Sequence, residues 1–303
     1  MRILLTGKNG QLGWELHRQL EQDHEILAPG RNDIDFRDSR LLFRRLRELP
    51  ALDLIVNAAA YTDVDKAEQE AFVAEAVNAE AVSLLAAEAD GRGIPMIHFS
   101  TDYVFDGCRR TKPYTEADAP NPVCYYGWTK LEGEARLRNL LEKHWIFRLS
   151  GLYGIRRKNF FTAMLKQRHN GRTPRVVNDQ IVSPNWTPLV AEAVTVAIRR
   201  LFQGEKLLWG TYHLAGSGQT SWYEFARLIF GKLNDLYDIA MPPPAPVTSK
   251  EYRAAAQRPG FSVLHSRRFN IVFQHALPDW REQFLHFLGG LPQQSLMKDF
   301  HHV

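Results

Sequence analysis

No run of about eighteen consecutive apolar residues occurs in this chain, which excludes an ordinary membrane-spanning helix. A charged n-region and apolar h-region are missing too, because Met1-Arg2 leads straight into a short apolar run; the expected location is cytoplasmic, with no membrane partner. Cysteine is scarce: Cys108 and Cys124 have neither metal nor redox spacing and are expected to be free thiols in a reducing compartment. There is no internal repeat and no nucleic-acid-binding motif, so no nucleic-acid partner is expected. The charge balance is mild, +4 with a pI near 9.0, and suits a phosphorylated ligand without selecting one. Arg40, Arg44, Arg45 and Arg47 alternate with leucines at helical spacing and read as a solvated helix face.

What is present is enough to bury one large core or two lobes: 303 residues, 45% of them hydrophobic. Strand-like runs at 2–6, 24–28, 52–57, 94–99 and 144–149 alternate with amphipathic helical stretches at 12–22, 38–48, 70–90 and 125–142. Such alternation predicts an α/β fold with a doubly wound parallel sheet. Beyond residue 150 the pattern loosens, with Gly/Pro breaks at 171–174, 183–188 and 241–246 and helices near 158–169, 188–203 and 220–233. We expect residues 1–150 to form a dinucleotide-binding domain and 151–303 a smaller α/β lobe interleaved with it. Pro242-Pro243-Pro244-Ala245-Pro246 reads as a rigid turn in that lobe.

Three motifs carry chemistry. Gly7, Gly10 and Gly13 follow the first strand in a G-x-x-G-x-x-G spacing, the sharp turn that lets backbone approach a pyrophosphate at a helix N-terminus. Ser100-Thr101-Asp102 ends a strand, placing hydroxyls and a carboxylate where open α/β sheets bind ligands. Tyr126 and Lys130 lie four residues apart on a helix, so a phenol and an ammonium share one face. A phenol keeps its proton at neutral pH, and a neighbouring ammonium stabilises the phenolate left after donation to a carbonyl oxygen. The second strand ends in Pro29-Gly30-Arg31 with no acidic residue for a ribose 2′-hydroxyl. Arg31 instead offers charge to a 2′-phosphate, which predicts NADPH, with NADH left open.

The segments GKNGQLGWEL (7–16), DLIVNAAAYTDVDKAE (53–68), HFSTDYVFDG (98–107), YYGWTKLEGE (125–134), FRLSGLYG (147–154), VVNDQIVSP (176–184), YHLAGSGQTSWYEFA (212–226) and LPDW (277–280) together resemble the dTDP-4-dehydrorhamnose reductases. These are extended short-chain dehydrogenases that reduce a nucleotide-linked 4-keto-6-deoxy sugar, and the resemblance covers nearly the whole chain. It implies Rossmann-like architecture and NADPH-dependent reduction of dTDP-4-dehydro-L-rhamnose. Tyr126, Lys130 and Thr101 would be catalytic. Gly7, Gly10, Gln11, Leu12 and Gly13 would surround the pyrophosphate; Arg31, Asp35 and Phe36 would lie near the adenosine end. Ala58, Ala59, Ala60, Tyr61, Thr62 and Phe99, with Tyr126 and Lys130, would line the rest of the cofactor. Thr101, Asp102, Gly151, Gln180 and Arg258 would face the substrate, Arg258 as a fork for its diphosphate.

The chain departs from that family pattern at several positions. Gly151 stands where an aromatic usually stacks on the substrate, with Trp186 a candidate to refill the space. Gln180-Ile181-Val182-Ser183-Pro184-Asn185 replaces Q-x-G-x-P-T, and Phe99 replaces a tyrosine. Of three glutamates used by magnesium-bridged dimers only Glu15 matches, with Pro188 and Gly290 at the other places, so no metal is expected and the protein should be a monomer or a metal-independent homodimer. A nucleotide-sugar epimerase, or a non-catalytic regulatory subunit like that of methionine adenosyltransferase, remains the alternative.

Overall fold

The protein is described by a computed structural model over residues 1–108, 111–169, 173–237 and 242–291. The first half alternates β1 (Arg2–Thr6), α1 (Gln11–Leu20), β2 (Glu25–Leu27), α2 (Ser39–Arg47), β3 (Leu54–Asn57), α3 (Val64–Ala67), α4 (Ala71–Glu75), α5 (Ala81–Arg92), β4 (Met96–Thr101), α6 (Tyr125–Leu140) and β5 (His144–Leu149). The remainder holds β6 (Leu152–Tyr153), α7 (Phe160–His169), β7 (Arg175–Val177), β8 (Ile181–Val182), β9 (Asn185–Trp186), α8 (Thr187–Phe202), β10 (Gly210–His213), β11 (Thr220–Ser221), α9 (Trp222–Tyr237), β12 (Ala245–Val247), α10 (Ser249–Tyr252), α11 (Arg267–Phe273) and α12 (Trp280–Gly289).

Six parallel strands form the main sheet in the order β2-β1-β3-β4-β5-β10. The chain leaves β1 in one direction and returns on its other side, so the strand order reverses between β1 and β3. That reversal opens a crevice at the carboxyl ends of the two strands, the usual ligand position in such sheets. The sixth strand comes from late in the chain: β10 pairs with β5, and α8 packs on α1.

Side-chain alternation along each strand gives the sheet two unlike faces. Toward α1, α8 and α11 it presents Ile3, Leu5, Leu54, Val56, Ile97, Phe99, Trp145, Phe147, Leu149 and Tyr212, all apolar in bulk and all buried. Toward α2, α5 and α6 it begins with Leu4, Ile55, Met96 and Ile146. It then turns polar near the strand ends, with Thr6, Asn57, His98, Ser100, Arg148 and His213, each buried. The second lobe has its own core, dominated by Tyr153, Phe161, Phe225, Trp280, Phe284 and Phe287. Among the described residues no helix is long and apolar enough to cross a membrane.

Two sequence expectations need correction. The helix expected over 70–90 is interrupted by a π-helical turn at Ala76–Glu80. The turn aims Asn78 inward, where its side chain bonds the backbone N–H and C=O of Tyr61 and the Thr129 hydroxyl. Gly133 of α6 lies so near that a Cβ there would sit 2.1 Å from the Asn78 carbonyl oxygen. The proline-rich stretch is not simply a turn, because Ala245–Val247 pairs in parallel with β7 in a two-stranded sheet. Proline is tolerated in such an edge strand, where a missing N–H disrupts little. Residues 171, 172 and 241, parts of two expected breaks, and 292–303 of the expected second lobe lie outside the described residues.

Candidate active site

The glycine turn sits in the crevice between β1 and β3. Gly7 has φ +75, and a Cβ there would lie 2.5 Å from the backbone of Ala58 and Ala59; one on Gly13 would lie 2.1 Å from the Gly7 carbonyl oxygen. Only glycine permits this double approach. The N-cap of α1 is Gly10, with no side-chain cap, so the N–H groups of Gln11, Leu12 and Gly13 point out of the helix without intrahelical acceptors. Such a terminus, open and partially positive, fits an anionic pyrophosphate. The segment after β6 braces the turn. Arg157, held at φ 60, donates to the Asn9 carbonyl at 2.6 Å, and Asn159 donates to Gln11 Oε1 at 3.1 Å.

Around this turn, Ala58, Ala59 and Ala60 leave β3, and Tyr61 follows with its N–H on Asn78 Oδ1 at 2.9 Å. The Tyr61 hydroxyl donates to Glu70 at 2.7 Å, and burial together with that carboxylate pushes its phenol up to about 12. Thr62 and Arg31 are exposed. Asp35 is engaged by Arg37 at 2.6 Å, and Phe36 packs against the core under α2 and α5.

At the end of β4, Thr101 is buried and donates to Asp102 Oδ1 at 3.0 Å, while Asp102 Oδ2 accepts from Ser150 at 2.9 Å. The Thr101 hydroxyl lies beside the Tyr126 phenol, near enough to act on its proton. The Tyr126 ring leans edge-on against Tyr103, 5.8 Å between centroids. Gly127 allows α6 to come this close, since a Cβ there would be 2.2 Å from the Tyr103 carbonyl oxygen. Burial holds the Tyr126 phenol above its ordinary pKa, the Thr101 hydroxyl pulling the other way. Lys130 is 2% exposed, and burial lowers its ammonium to about 8 against the attraction of Glu134. Asp102 is raised to about 6 by burial, opposed by the hydroxyls of Ser262, Ser150 and Thr101.

Behind these groups runs a buried polar row that the sequence reading missed. Asn57, His98 and Lys130 touch in series, with 3.1 Å between Asn57 Nδ2 and His98 Nδ1 and 3.3 Å between His98 Nε2 and Lys130 Nζ. Farther along, Glu134 takes both arms of Arg148, at 2.9 and 2.7 Å, and one arm of Arg138. Polar residues embedded in strand-like runs were the available signal, and hydrophobic patterning passes over them.

Several expected ligand contacts are otherwise occupied. The Phe99 ring is buried on the apolar face against Phe147, so its backbone is what remains for a ligand. Arg258 forks onto Asp65 of α3, at 3.1 and 2.8 Å. Gln180 is buried and donates to Ser249 at 2.8 Å. Asp102 is 3% exposed with both oxygens engaged. Gly151 adopts φ +53, and a Cβ there would meet Val182 at 3.0 Å and the Ser183 carbonyl at 3.1 Å, so it is held as glycine by its backbone and leaves no room for an aromatic. Trp186 does not refill that place; it packs on His286 and Phe287 and lines a cavity of about 220 Å³ on the outer side of α1. Glu15, Pro188 and Gly290 line that same cavity, and Glu15 is paired with Arg18 at 3.0 Å.

A parallel sheet with a glycine turn at its switch point, and a Thr101, Tyr126, Lys130 set beside it, defines an NAD(P)H-dependent oxidoreductase of the extended short-chain dehydrogenase class. Comparison with known proteins narrows this further. The chain belongs to the family described as the RmlD substrate binding domain, whose model matches residues 1–291. It is 39% identical over 290 residues to a dTDP-4-dehydrorhamnose reductase of Sinorhizobium fredii, covering 93% of this chain and 95% of that one. A solved dTDP-4-dehydrorhamnose reductase from Clostridium acetobutylicum superposes with a TM-score of 0.85 at 34% identity, covering 95% of this chain and 99% of its own. Another from Bacillus anthracis, solved in complex with NADP, gives 0.85 at 32% identity over 96% and 99% of the two chains.

Proposed function

We propose that this protein reduces a nucleotide-linked 4-keto-6-deoxy sugar, dTDP-4-dehydro-L-rhamnose to dTDP-L-rhamnose, with NADPH. The observation that carries the reading is the buried grouping of Thr101, Tyr126 and Lys130 at the end of β4, beside a glycine turn that no side chain caps. The resemblance to reductases of that name over more than nine-tenths of the chain supports the choice of sugar.

Gly7, Gly10 and Gly13 bring backbone to the pyrophosphate, and the N–H groups opening α1 meet its charge. Arg31 lies exposed beyond β2 as a cation for a 2′-phosphate. Bound NADPH supplies the hydride. Tyr126 hands its proton to the sugar's C4 oxygen as negative charge develops there. The Thr101 hydroxyl turns from Asp102 Oδ1 to the new phenolate, and Lys130 balances the charge from the same helix face. Asp102 serves this site by orienting Thr101, since both its oxygens are already engaged. Residues 1–150 carry the dinucleotide and the later chain the sugar, although β10 and α8 complete the first part. The enzyme works in the cytoplasm as a monomer or metal-independent homodimer. NADPH oxidation with a panel of nucleotide 4-keto sugars, products resolved by NMR, tests the reading: dTDP-4-dehydro-L-rhamnose should be turned over fastest, and no consumption with any of them would refute it.

A further inference from the structure

Hydrogen-bond direction can be followed along the polar row from a group whose role is fixed. The backbone N–H of Ala59 can only donate, and it meets Asn57 Oδ1 at 3.2 Å; the Thr6 hydroxyl reaches the same oxygen at 2.7 Å. The other end of the Asn57 amide is therefore its NH₂, facing His98 Nδ1 at 3.1 Å. His98 Nδ1 must accept, and a neutral imidazole then carries its one proton on Nε2. That N–H points at Lys130 Nζ, 3.3 Å away. An ammonium has donors only, so two donors would face each other; a free amine offers a lone pair.

We infer that Lys130 rests as the neutral amine in the cofactor-free protein, accepting from His98 Nε2–H, and that Ala59, Asn57 and His98 together place that proton. His98 is thus a positioning residue acting through Lys130. An imidazolium at His98 would put a second N–H against the Asn57 NH₂, and burial already holds its pKa well below ordinary. Burial has likewise brought Lys130 down to about 8 before the opposing donor is considered.

The other charged or titratable groups facing this end of α6 are few. Tyr126 and Glu134 come from α6 itself, Asp102 and Tyr103 from the turn after β4, and Arg148 from β5. Glu134 is the one that raises Lys130, and it is shared with Arg148 and Arg138. Glu68 and Glu75 of the α3–α4 region engage the Tyr125 N–H and hydroxyl instead, and α5 packs here with Val82, Leu85 and Ala86.

The consequence rests on the reductase reading: the phosphates of an arriving dinucleotide favour the ammonium, so Lys130 takes a proton from solvent as the cofactor binds and turns its Nζ from His98 toward the acceptors that the cofactor brings. The site would then be charged only when loaded, and the phenolate partner of Tyr126 would appear together with the hydride donor.

The proton placement is tested without substrate or cofactor. Nitrogen-15 NMR of the histidine rings in the cofactor-free protein at neutral pH should show His98 as the Nε2–H tautomer, its signals identified by their loss in His98→Gln. Asn57→Asp puts an acceptor opposite Nδ1 and should reverse the tautomer. An Nδ1–H tautomer or an imidazolium in the parent protein would overturn the proposal. The coupling is read by titration calorimetry with NADPH at about pH 8, where a 2′-phosphate is already ionised, in two buffers of different ionisation enthalpy. About one proton should be taken up per site by the parent, and close to none by His98→Gln, whose carbonyl can accept from a resident ammonium. Binding without uptake by the parent would refute the coupling, whereas no binding at all would refute the cofactor reading and leave the NMR result standing.

Discussion

The two faces of the central sheet are built by the same strands to opposite rules. Leu149 and Arg148 are neighbours on β5, yet one joins an apolar layer with α1, α8 and α11 while the other forks onto a buried glutamate of α6. The apolar face gains stability from area alone, and its residues are interchangeable within volume limits. The polar face must satisfy every donor and acceptor, and burying ions there costs several kcal/mol before their attraction is counted. A protein selected for stability alone would have little use for that second face. Its polar end lies under Tyr126 and Lys130, and its hydrogen bonds run from Asn57 through His98 to Lys130.

The largest effect should come from the Tyr126 end of the polar face. Tyr126→Phe is expected to retain cofactor binding and lose about 10²–10⁴ in turnover, the range for a positioned general acid; parent-like turnover in a steady-state assay would remove the phenol from the mechanism. Next comes the difference between the faces themselves. Arg148→Met leaves Glu134 buried with Arg138 as its hydrogen-bonded ion-pair partner and should cost about 3–5 kcal/mol in denaturant unfolding. Leu149→Met, one residue along, should cost less than about 1.5 kcal/mol. Equal losses would erase the distinction drawn between the faces.

The strands of both faces were readable from the sequence, because apolar runs separated by amphipathic stretches have few other arrangements. Arg2–Thr6 and His144–Leu149 fall where the pattern put them, and α6 begins at Tyr125 as expected. The positions of the glycine turn, Thr101, Tyr126 and Lys130 at a strand end, a tight turn and one helix were legible because local spacing sets them. His98 and Asn57 were not, since each looks like an isolated polar residue in a strand and acquires meaning only from the strand beside it. The π turn at Ala76–Glu80 was equally hidden, since no breaker residue marks it and it lies against Gly133 of a helix far along the chain. Arg258 shows a partner that no local spacing could reveal: its guanidinium is paired with Asp65, far away in sequence.

A smaller effect follows from Asp102. Its carboxyl is raised to about 6 in the folded protein, chiefly by burial. Folding therefore favours the protonated form, and this contribution is complete below the ordinary carboxylate range and is lost as pH rises through about 6. Asp102→Asn cannot ionise, so it should gain up to about 3 kcal/mol over the parent near pH 8 and nothing near pH 4. A pH-independent difference in melting temperature would show that charge burial is not the cost at this position. The smallest effect is expected at Glu15, a buried carboxylate outside the polar face and answered by Arg18. EDTA should change neither activity nor sedimentation; a dimer lost on chelation would reveal a metal held there.

The return of β10 to the edge of the main sheet also sets a timetable. β5 is finished at Leu149, but its outer neighbour is not made until His213, about sixty residues later. At ordinary rates of synthesis that is an interval of roughly 3–12 s, during which a nascent chain has the glycine turn and Tyr126 but an open hydrogen-bonding edge on β5. The ribosome thus delivers the residues proposed for catalysis before the strand that closes their sheet, and in that window the nascent chain is most open to chaperones and to pairing with a neighbouring copy.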